Sequence, residues 1–564
     1  MLLVVALLNH GIGIIDHLDT LNIARLNLSA SRAAMETASF EEAEIFLKTG
    51  IKVLPANVWQ CEYQLALELL SRAAESCYRT GHYEDVEKFS GEVVANANSL
   101  EDKFRANFAF IRSVCAQNDA QKACDMTEQL LREYGCKFPR RFHELFLVKE
   151  VVPLLFLRRT TNPEDIPCMS ELKNTKRLQA MWLLQSMSTY AFLAESPLLP
   201  FCAFKLFRWT LTYGLSELAP VAFAGVACGC AIRLKDYKKA RSYAECALAL
   251  LEANEDYTSV KAITLLWVNG LALHNCAPLE RSLRGLLDGY NAGMAVGDTE
   301  SASFSIVLYL ETSFNLGKHL PGIASDLDVY MEQMKVFGQW QQYTVAFLLR
   351  NITMRSLMGG ENTEAMDVGT DKRSANAKLF KELDAAGWMC NDEDAADRAI
   401  RLKTELSRAE TDVGVSNVDF TESFVAISCY GAARKTKKRK YVKFARSAQT
   451  LIQTKIKKGN PNLLHWESLI DAEMLALKGR TDAARLKYQA AISFSARTGQ
   501  INIHGLANER YGDYMAEIGD YDEARYRYEN ASKLYDEWGA MAKVDIVKEK
   551  LARILDERKQ PAKK

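Results

Sequence analysis

Between Trp466 and Val544 small and aromatic residues recur every three or four positions, break at a glycine, and recur in the same frame. Tyr521, Ala524, Tyr528, Ala531, Tyr535 and Trp538 fall on one stripe of a helix. Gly479, Ala484, Tyr488 and Ala491 repeat, 40 residues earlier, the frame of Gly519, Ala524, Tyr528 and Ala531. Small side chains at 524 and 531 admit a partner helix closely, the rings fill the gaps beside them, and Gly519 closes the turn at low cost. The stretch therefore predicts two helical hairpins, neither able to bury its apolar face without a neighbour.

Gly512, Gly519, Tyr521, Ala524, Tyr528 and Ala531 stand where a tetratricopeptide-type unit carries its small and aromatic residues. The prediction for the whole chain is an all-α fold, a TPR-like α-solenoid of antiparallel helix pairs in a right-handed superhelix. Earlier copies are more blurred. Leu18 to Pro55 places Ala38, Phe40, Ala43, Leu47 and Gly50 in the frame, Leu65 to Ala95 places Ala74, Gly81, Tyr83 and Val93, and Phe104 to Tyr134 puts Asn118 at the turn and Ala123 at the small position. Pro139, Pro153, Pro163 and Pro167 make 138–175 a connecting stretch with one short helix at 144–157.

Helices return over 178–213, and a hairpin over 221–251 carries Tyr237, Ala240, Ala244 and Ala247 in the stripe. The 265–310 stretch reads as helices separated by Gly293 and by the stop-and-cap pair Gly297-Asp298. The predicted organisation is N-terminal repeats over 1–358, an irregular polar insert with a charged helix over 359–415, C-terminal repeats over 416–555 and a disordered tail over 556–564. Within the insert, 359–375 reads as a mobile loop, 391–408 as the charged helix and 411–417 as a break.

Charge removes several functional classes. Lys plus Arg and Asp plus Glu are 71 each, so no overall field gathers phosphate backbones or anionic lipid. Thirteen cysteines, scattered and odd in number, fit reduced thiols in a cytoplasmic protein rather than a disulfide scaffold. The opening run Met1 to Leu8 lacks a basic leader and falls short of a membrane span, so it reads as the first helix of a core.

His465 to Glu473, Leu506-Ala-Asn-Glu509 and Tyr535 to Val544, with Leu26-Asn-Leu28, Trp59-Gln60, Tyr63, Gly293 and Gly297-Asp298, resemble the helical-repeat region of large signalling proteins. Those proteins join a serine/threonine kinase-like domain, an AAA-type ATPase, this superhelical region, a GAF sensor and a histidine kinase. The likeness covers most of 1–358 and 416–550. The family's nucleotide-binding domain precedes a segment like 8–26 and its sensor and kinase follow the motif near Val544, so the resemblance implies a coupling module without its catalytic neighbours.

The chemistry-bearing residues point the same way. Gly317-Lys318 lacks the glycines and hydroxyl of a phosphate loop and reads as a turn, and Gly11-Ile12-Gly13 lacks a third glycine. Cys228-Gly-Cys230 has no second ligand pair, and His465 and His504, at nearly equivalent positions of adjacent repeats, have no carboxylate partner for a metal. Arg434 to Lys440 reads as a solvated connection, with a nuclear import signal or an acidic-partner patch as the functional alternatives.

The expectation is thus a non-catalytic protein-interaction scaffold in signal transduction. No cofactor, metal, nucleic acid, membrane or small-molecule substrate is expected, and a signalling kinase or ATPase is a candidate partner. Asn508, Arg510 and Asp513, on the first helix of the last repeat, are the candidate partner-binding residues of a concave groove. Two other readings are a regulatory piece of a split ATPase or protein kinase and a helical-repeat RNA-binding protein.

Overall fold

The computed structural model describes residues 2–11, 20–136, 138, 169–194, 196, 198–359, 372–408 and 418–559. Helices account for nearly all of them, and among the described residues the only β-type pairing is an isolated bridge between Glu171 and Leu215. The fold is the predicted α-solenoid. Successive antiparallel pairs include Thr20–Glu36 with Phe40–Lys52, Tyr63–Thr80 with Tyr83–Asn96, Leu100–Ala116 with Ala120–Glu133, Leu464–Leu477 with Thr481–Arg497, and Ile501–Glu517 with Tyr521–Trp538.

The hairpins close on a residue in the left-handed region, Ala38 at 57°, Gly81 at 82°, Asn118 at 72°, Gly297 at 71° and Gly519 at 84°, and at all but Ala38 the sequence places a residue that adopts it readily. The aspartates at positions 119, 236, 298 and 520 then cap the next helix, each side chain accepting from the amide three residues on. Inside the pairs, Ala484, Tyr488 and Ala491, and Ala524, Tyr528, Ala531, Tyr535 and Trp538, are buried as the stripe requires. Gly512 explains itself here. A Cβ on it would lie 2.8 Å from the Tyr528 ring, so the glycine makes the seat for that ring.

Several expectations are corrected. Gly293 does not separate a pair of helices; it lies within Leu279–Val296, where a Cβ would stand 2.8 Å from the Asp298 carbonyl and 2.9 Å from the Ala302 Cβ. The stretch 359–415, which reads from sequence as an irregular insert with one charged helix, carries two helices, Lys372–Trp388 and Asp392–Arg408, and Trp388 packs among Phe314, Phe424 and Trp538. Helix Met541–Lys559 runs past Asp556, into the stretch the sequence assigns to a disordered tail. The helix expected at 144–157, the break at 411–417 and most of the expected loop at 359–375 lie outside the described residues.

Among the described residues three first helices pass into a wider π-turn, Cys230–Leu234, Trp267–Ala272 and Leu349–Met354, which no 3.6-residue pattern anticipates.

The superhelix winds tightly enough for one turn to touch the next. The Tyr83 hydroxyl donates to the carbonyls of Phe337 (3.0 Å) and Gly338 (3.3 Å), 254 and 255 residues along the chain. Arg79 donates to the Val296 carbonyl. Asn462 donates to the carbonyls of His274 (3.0 Å) and Ala277 (2.9 Å), and Asn502 to those of Phe314 (3.2 Å) and Asn315 (3.1 Å). These side chains satisfy the exposed carbonyls that a helix C-terminus leaves unpaired.

Closure fills the axis. In Thr299–Asn315 every residue but Phe304 and Tyr309 is buried, including Glu300, Glu311 and Asn315. By contrast Tyr521–Trp538, an outer helix, buries a single stripe. The first helix Thr299–Asn315 is therefore covered nearly all round while the second helix Tyr521–Trp538 shows one face to solvent.

Candidate functional site

The predicted groove residues lie in this filled axis. Helix Ile501–Glu517 presents Arg510 between the first helix Leu464–Leu477 and the start of helix Asp392–Arg408, and the guanidinium has an acidic partner on each. Its Nε donates to Glu473 Oε1 at 2.7 Å, and its Nη1 donates to Asp392 Oδ1 at 2.6 Å. On the far side of Glu473, Arg434 Nη1 donates to Oε2 at 2.7 Å, while its Nε reaches Glu517 at 2.7 Å. Tyr488 donates to the same Glu473 at 3.0 Å. Arg434, Glu473 and Arg510 lie on the first helices of three successive repeats, spaced by 39 and 37 residues, and their signs alternate; counted back from the turns at Lys437, Gly479 and Gly519 the position steps by about three residues per repeat.

Burial alone would raise the Glu473 carboxyl, but Arg510 and then Arg434 outweigh it and hold the group at about 2. The carboxylate stays ionised with no exposed surface. This is the geometry in which a buried ion pair offsets its own desolvation: close contacts, both carboxylate oxygens used, and additional hydrogen bonds.

A second cluster adjoins it. Glu509 is held well below the usual carboxylate range, because Lys543 (2.6 Å) and Lys550 (2.8 Å) overcome its desolvation. Tyr535 donates to it at 2.6 Å. Asp513 accepts from Lys550 at 2.8 Å and from Tyr528 at 2.8 Å. Asn508 donates to the His504 carbonyl at 2.9 Å and is 1% exposed.

So the structure turns Asn508 and Arg510 inward and leaves Asp513 half-buried and paired, which corrects the expectation of a partner-facing groove. The physical reason is the covering of first helices by their neighbours.

A third cluster joins two superhelical turns. Arg112 Nη2 donates to Asp298 Oδ1 at 2.7 Å and stands 3.9 Å from Glu300, its guanidinium 4.5 Å from the centre of the Tyr78 ring. Here burial wins and pushes Glu300 up to about 7, with Arg112 offsetting only some of the effect. The hydroxyls of Tyr78 and Tyr190 and Oε1 of Glu300 have no protein hydrogen-bond partner.

The other candidates resolve as follows. Gly317-Lys318 forms the turn between Thr299–Asn315 and Leu320–Val336, with Gly317 at φ 72°. Cys228 and Cys230 are buried, Cys228 donates to the Trp267 carbonyl at 3.3 Å, and burial pushes the Cys230 thiol up to about 12. His465 is buried beside Trp466, and burial pushes its imidazole down to about 3, which keeps it neutral. The run 434–440 is not uniformly solvated: Arg434 is buried in the ladder, Lys435 pairs with Asp392 at 3.1 Å and Lys440 with Asp397 at 2.8 Å.

Among the described residues two groups of potential metal ligands converge, Glu44 with Cys77 and Asp85, and Cys390 with Glu509 and Asp513. In each a lysine supplies the positive charge that the carboxylates need. Lys48 lies 2.6 Å from Glu44 and 2.5 Å from Asp85, and Lys550 bridges Glu509 and Asp513.

No family model matches the chain, and no curated protein matches it. Among solved structures, one described as Scc4 in complex with Scc2n is similar, with a TM-score of 0.45 and 8% sequence identity over 97% of this chain and 100% of that chain.

Proposed function

We propose that this protein is a non-catalytic scaffold that binds other proteins along the outside of a closed superhelix. The observation that supports this most is the continuity of the body. Side chains of one turn cap carbonyls of the next, and the charges of the first helices are used against one another. An elongated, self-braced superhelix offers extended outer surface to partners and transmits displacement along its length.

The finer reading is a coupling role in signal transduction in the cytoplasm, with a kinase or ATPase as partner. It is supported by the likeness of 465–473, 506–509 and 535–544 to the repeat region of multi-domain signalling kinases. No described helix is long and apolar enough to cross a membrane.

The test is native purification of the full chain from cells, followed by chemical cross-linking and mass spectrometry. A stoichiometric protein partner cross-linked to second helices is the expected result. Recovery of the chain without one, or nucleotide hydrolysis that co-purifies with the chain and is lost on a single substitution in it, contradicts the proposal.

A further inference from the structure

The chain's charges balance overall but not locally. Between Glu422 and Glu467 no acidic residue occurs, while eleven Lys and Arg fall from Arg434 to Lys458. Helix Arg439–Lys457 is the second helix of its pair and so turns one face outward. Its exposed positions are Arg439, Lys440, Lys443, Arg446, Ser447, Thr450, Thr454 and Lys457. Spacings of three and four put them on one face, and that face carries only cations and hydroxyls.

Most of these cations lack an ion-pair partner among the described residues, although Lys438 lies 5.9 Å from the centre of the Tyr441 ring. Lys435 and Lys440 have acidic partners, but among the described residues no ion pair engages Lys437, Lys438, Arg439, Lys443, Arg446 or Lys457. Cations at the start of a helix also oppose its dipole, and Lys438, at the N-cap, makes no capping hydrogen bond. Repulsion within the row and with the helix terminus is a standing cost that an anionic partner removes.

We propose that the outer face from Lys437 to Lys457 is a docking stripe for an extended, acidic segment of a partner protein. This names the chemistry of one partner contact and rests on the scaffold reading above.

The stripe's dimensions select the occupant. It is one helix wide, roughly 10 Å, and about 29 Å long, which spans about eight or nine residues of extended chain. Beside its N-terminal end stands helix Asp392–Arg408, with exposed Glu393 and Asp397. A nucleic-acid duplex or a flat anionic membrane is wider than the stripe and meets those carboxylates. A single nucleic-acid strand fits the width but needs aromatic faces for its bases; no exposed position of the stripe is aromatic, and Tyr441 is buried. An Asp/Glu-rich peptide needs only charge and hydrogen bonds from arginine, lysine and hydroxyl groups, and those are what the face supplies.

The test uses the full chain and a labelled twenty-residue glutamate-rich peptide, read by fluorescence anisotropy. A (dT)20 strand, a 20-base-pair duplex and phosphatidylserine vesicles are run in parallel. The expected result is salt-sensitive peptide binding, weakened about tenfold or more in the triple variant Lys438→Glu, Lys443→Glu, Arg446→Glu. The charge-matched control Arg284→Glu, Lys478→Glu, Arg553→Glu keeps wild-type binding. The neutral variant Lys443→Gln, Arg446→Gln gives an intermediate loss and guards against misfolding caused by charge reversal.

No peptide binding, or binding indifferent to the stripe variants, overturns the proposal. So does tighter, stripe-dependent binding of the DNA strand, the duplex or the vesicles, which assigns the face to that class instead. Failure here is distinguishable from failure of the scaffold reading, because native recovery of a stoichiometric partner is measured separately on the same variants.

Discussion

The ladder through Glu473 and the clasp around Glu300 are built from the same groups on the same kind of helix, yet their carboxyls end in opposite states. Glu473 has two arginines at 2.7 Å, one for each oxygen. Glu300 shares one arginine with Asp298, which holds it at 2.7 Å and leaves Glu300 at 3.9 Å. Both glutamates are buried, so desolvation pushes both up; only where matched cations outweigh it does the charge survive. The deciding quantity is the local ratio of cations to carboxylates. An axis can be polar throughout provided each charge meets its opposite.

The sharpest break in this contrast comes from Glu473→Ala, which strands Arg434 and Arg510 in the interior. A cost of about 3–5 kcal/mol is expected, read as lost hydrogen-exchange protection in the helices Val418–Thr436 and Ile501–Glu517. An unchanged exchange pattern would mean the arginines have solvent of their own.

Next in size is a pH effect of opposite sign at the two sites. Glu300 titrates at about 7 when folded against an ordinary 4.5, so its favourable contribution is complete below 4.5 and is lost as pH rises through 7. About 3 kcal/mol is at stake by pH 8. Glu473, at about 2, contributes above 4.5 and loses that contribution as pH falls toward 2. Thermal melts should therefore show that Glu300→Gln flattens the decline in stability between pH 5 and 8 and leaves the acid limb alone. Parallel pH profiles for wild type and variant would count against a buried, under-compensated Glu300.

Gly512→Ala tests packing where no charge is involved. The added methyl meets the Tyr528 ring at 2.8 Å, so about 1–3 kcal/mol of overpacking is expected, seen as a lower melting temperature at every pH. The smallest effect belongs to Asp119→Ala. It removes the side-chain acceptor 3.0 Å from the Lys122 amide and should cost about 1 kcal/mol, confined to exchange in Ala120–Glu133.

Hairpin positions are legible in the sequence because burial of a helix stripe and the closing of a turn each demand particular residue types. Ala524, Tyr528 and Gly519 satisfy all of those demands at once, and even Ala38 and Asn118 keep the turn position without glycine. The direction of polar side chains is not legible in that way. Arg510 reads equally well toward solvent or toward a neighbour, since its partners Glu473 and Asp392 lie 37 and 118 residues away. Gly293 resembles a stop because glycine ends many helices; close approach to Ala302 is the alternative use, and only the packed neighbour reveals it. The π-turn at Trp267–Ala272 brings Asn269 against Gly285 and Gly270 against Leu308, a fit set by the adjoining helices rather than by local sequence.

The most direct measurement of an axis closed by its own charges is a double-mutant cycle between Arg510 and Glu473, using Arg510→Met and Glu473→Leu. The opening free energy of Ile501–Glu517 is read by native-state hydrogen exchange. The account predicts that each single variant is strongly destabilised and that the pair recovers about 2 kcal/mol or more relative to their sum. Additive losses within about 0.5 kcal/mol would show that the two side chains do not meet, and the filled axis would be contradicted.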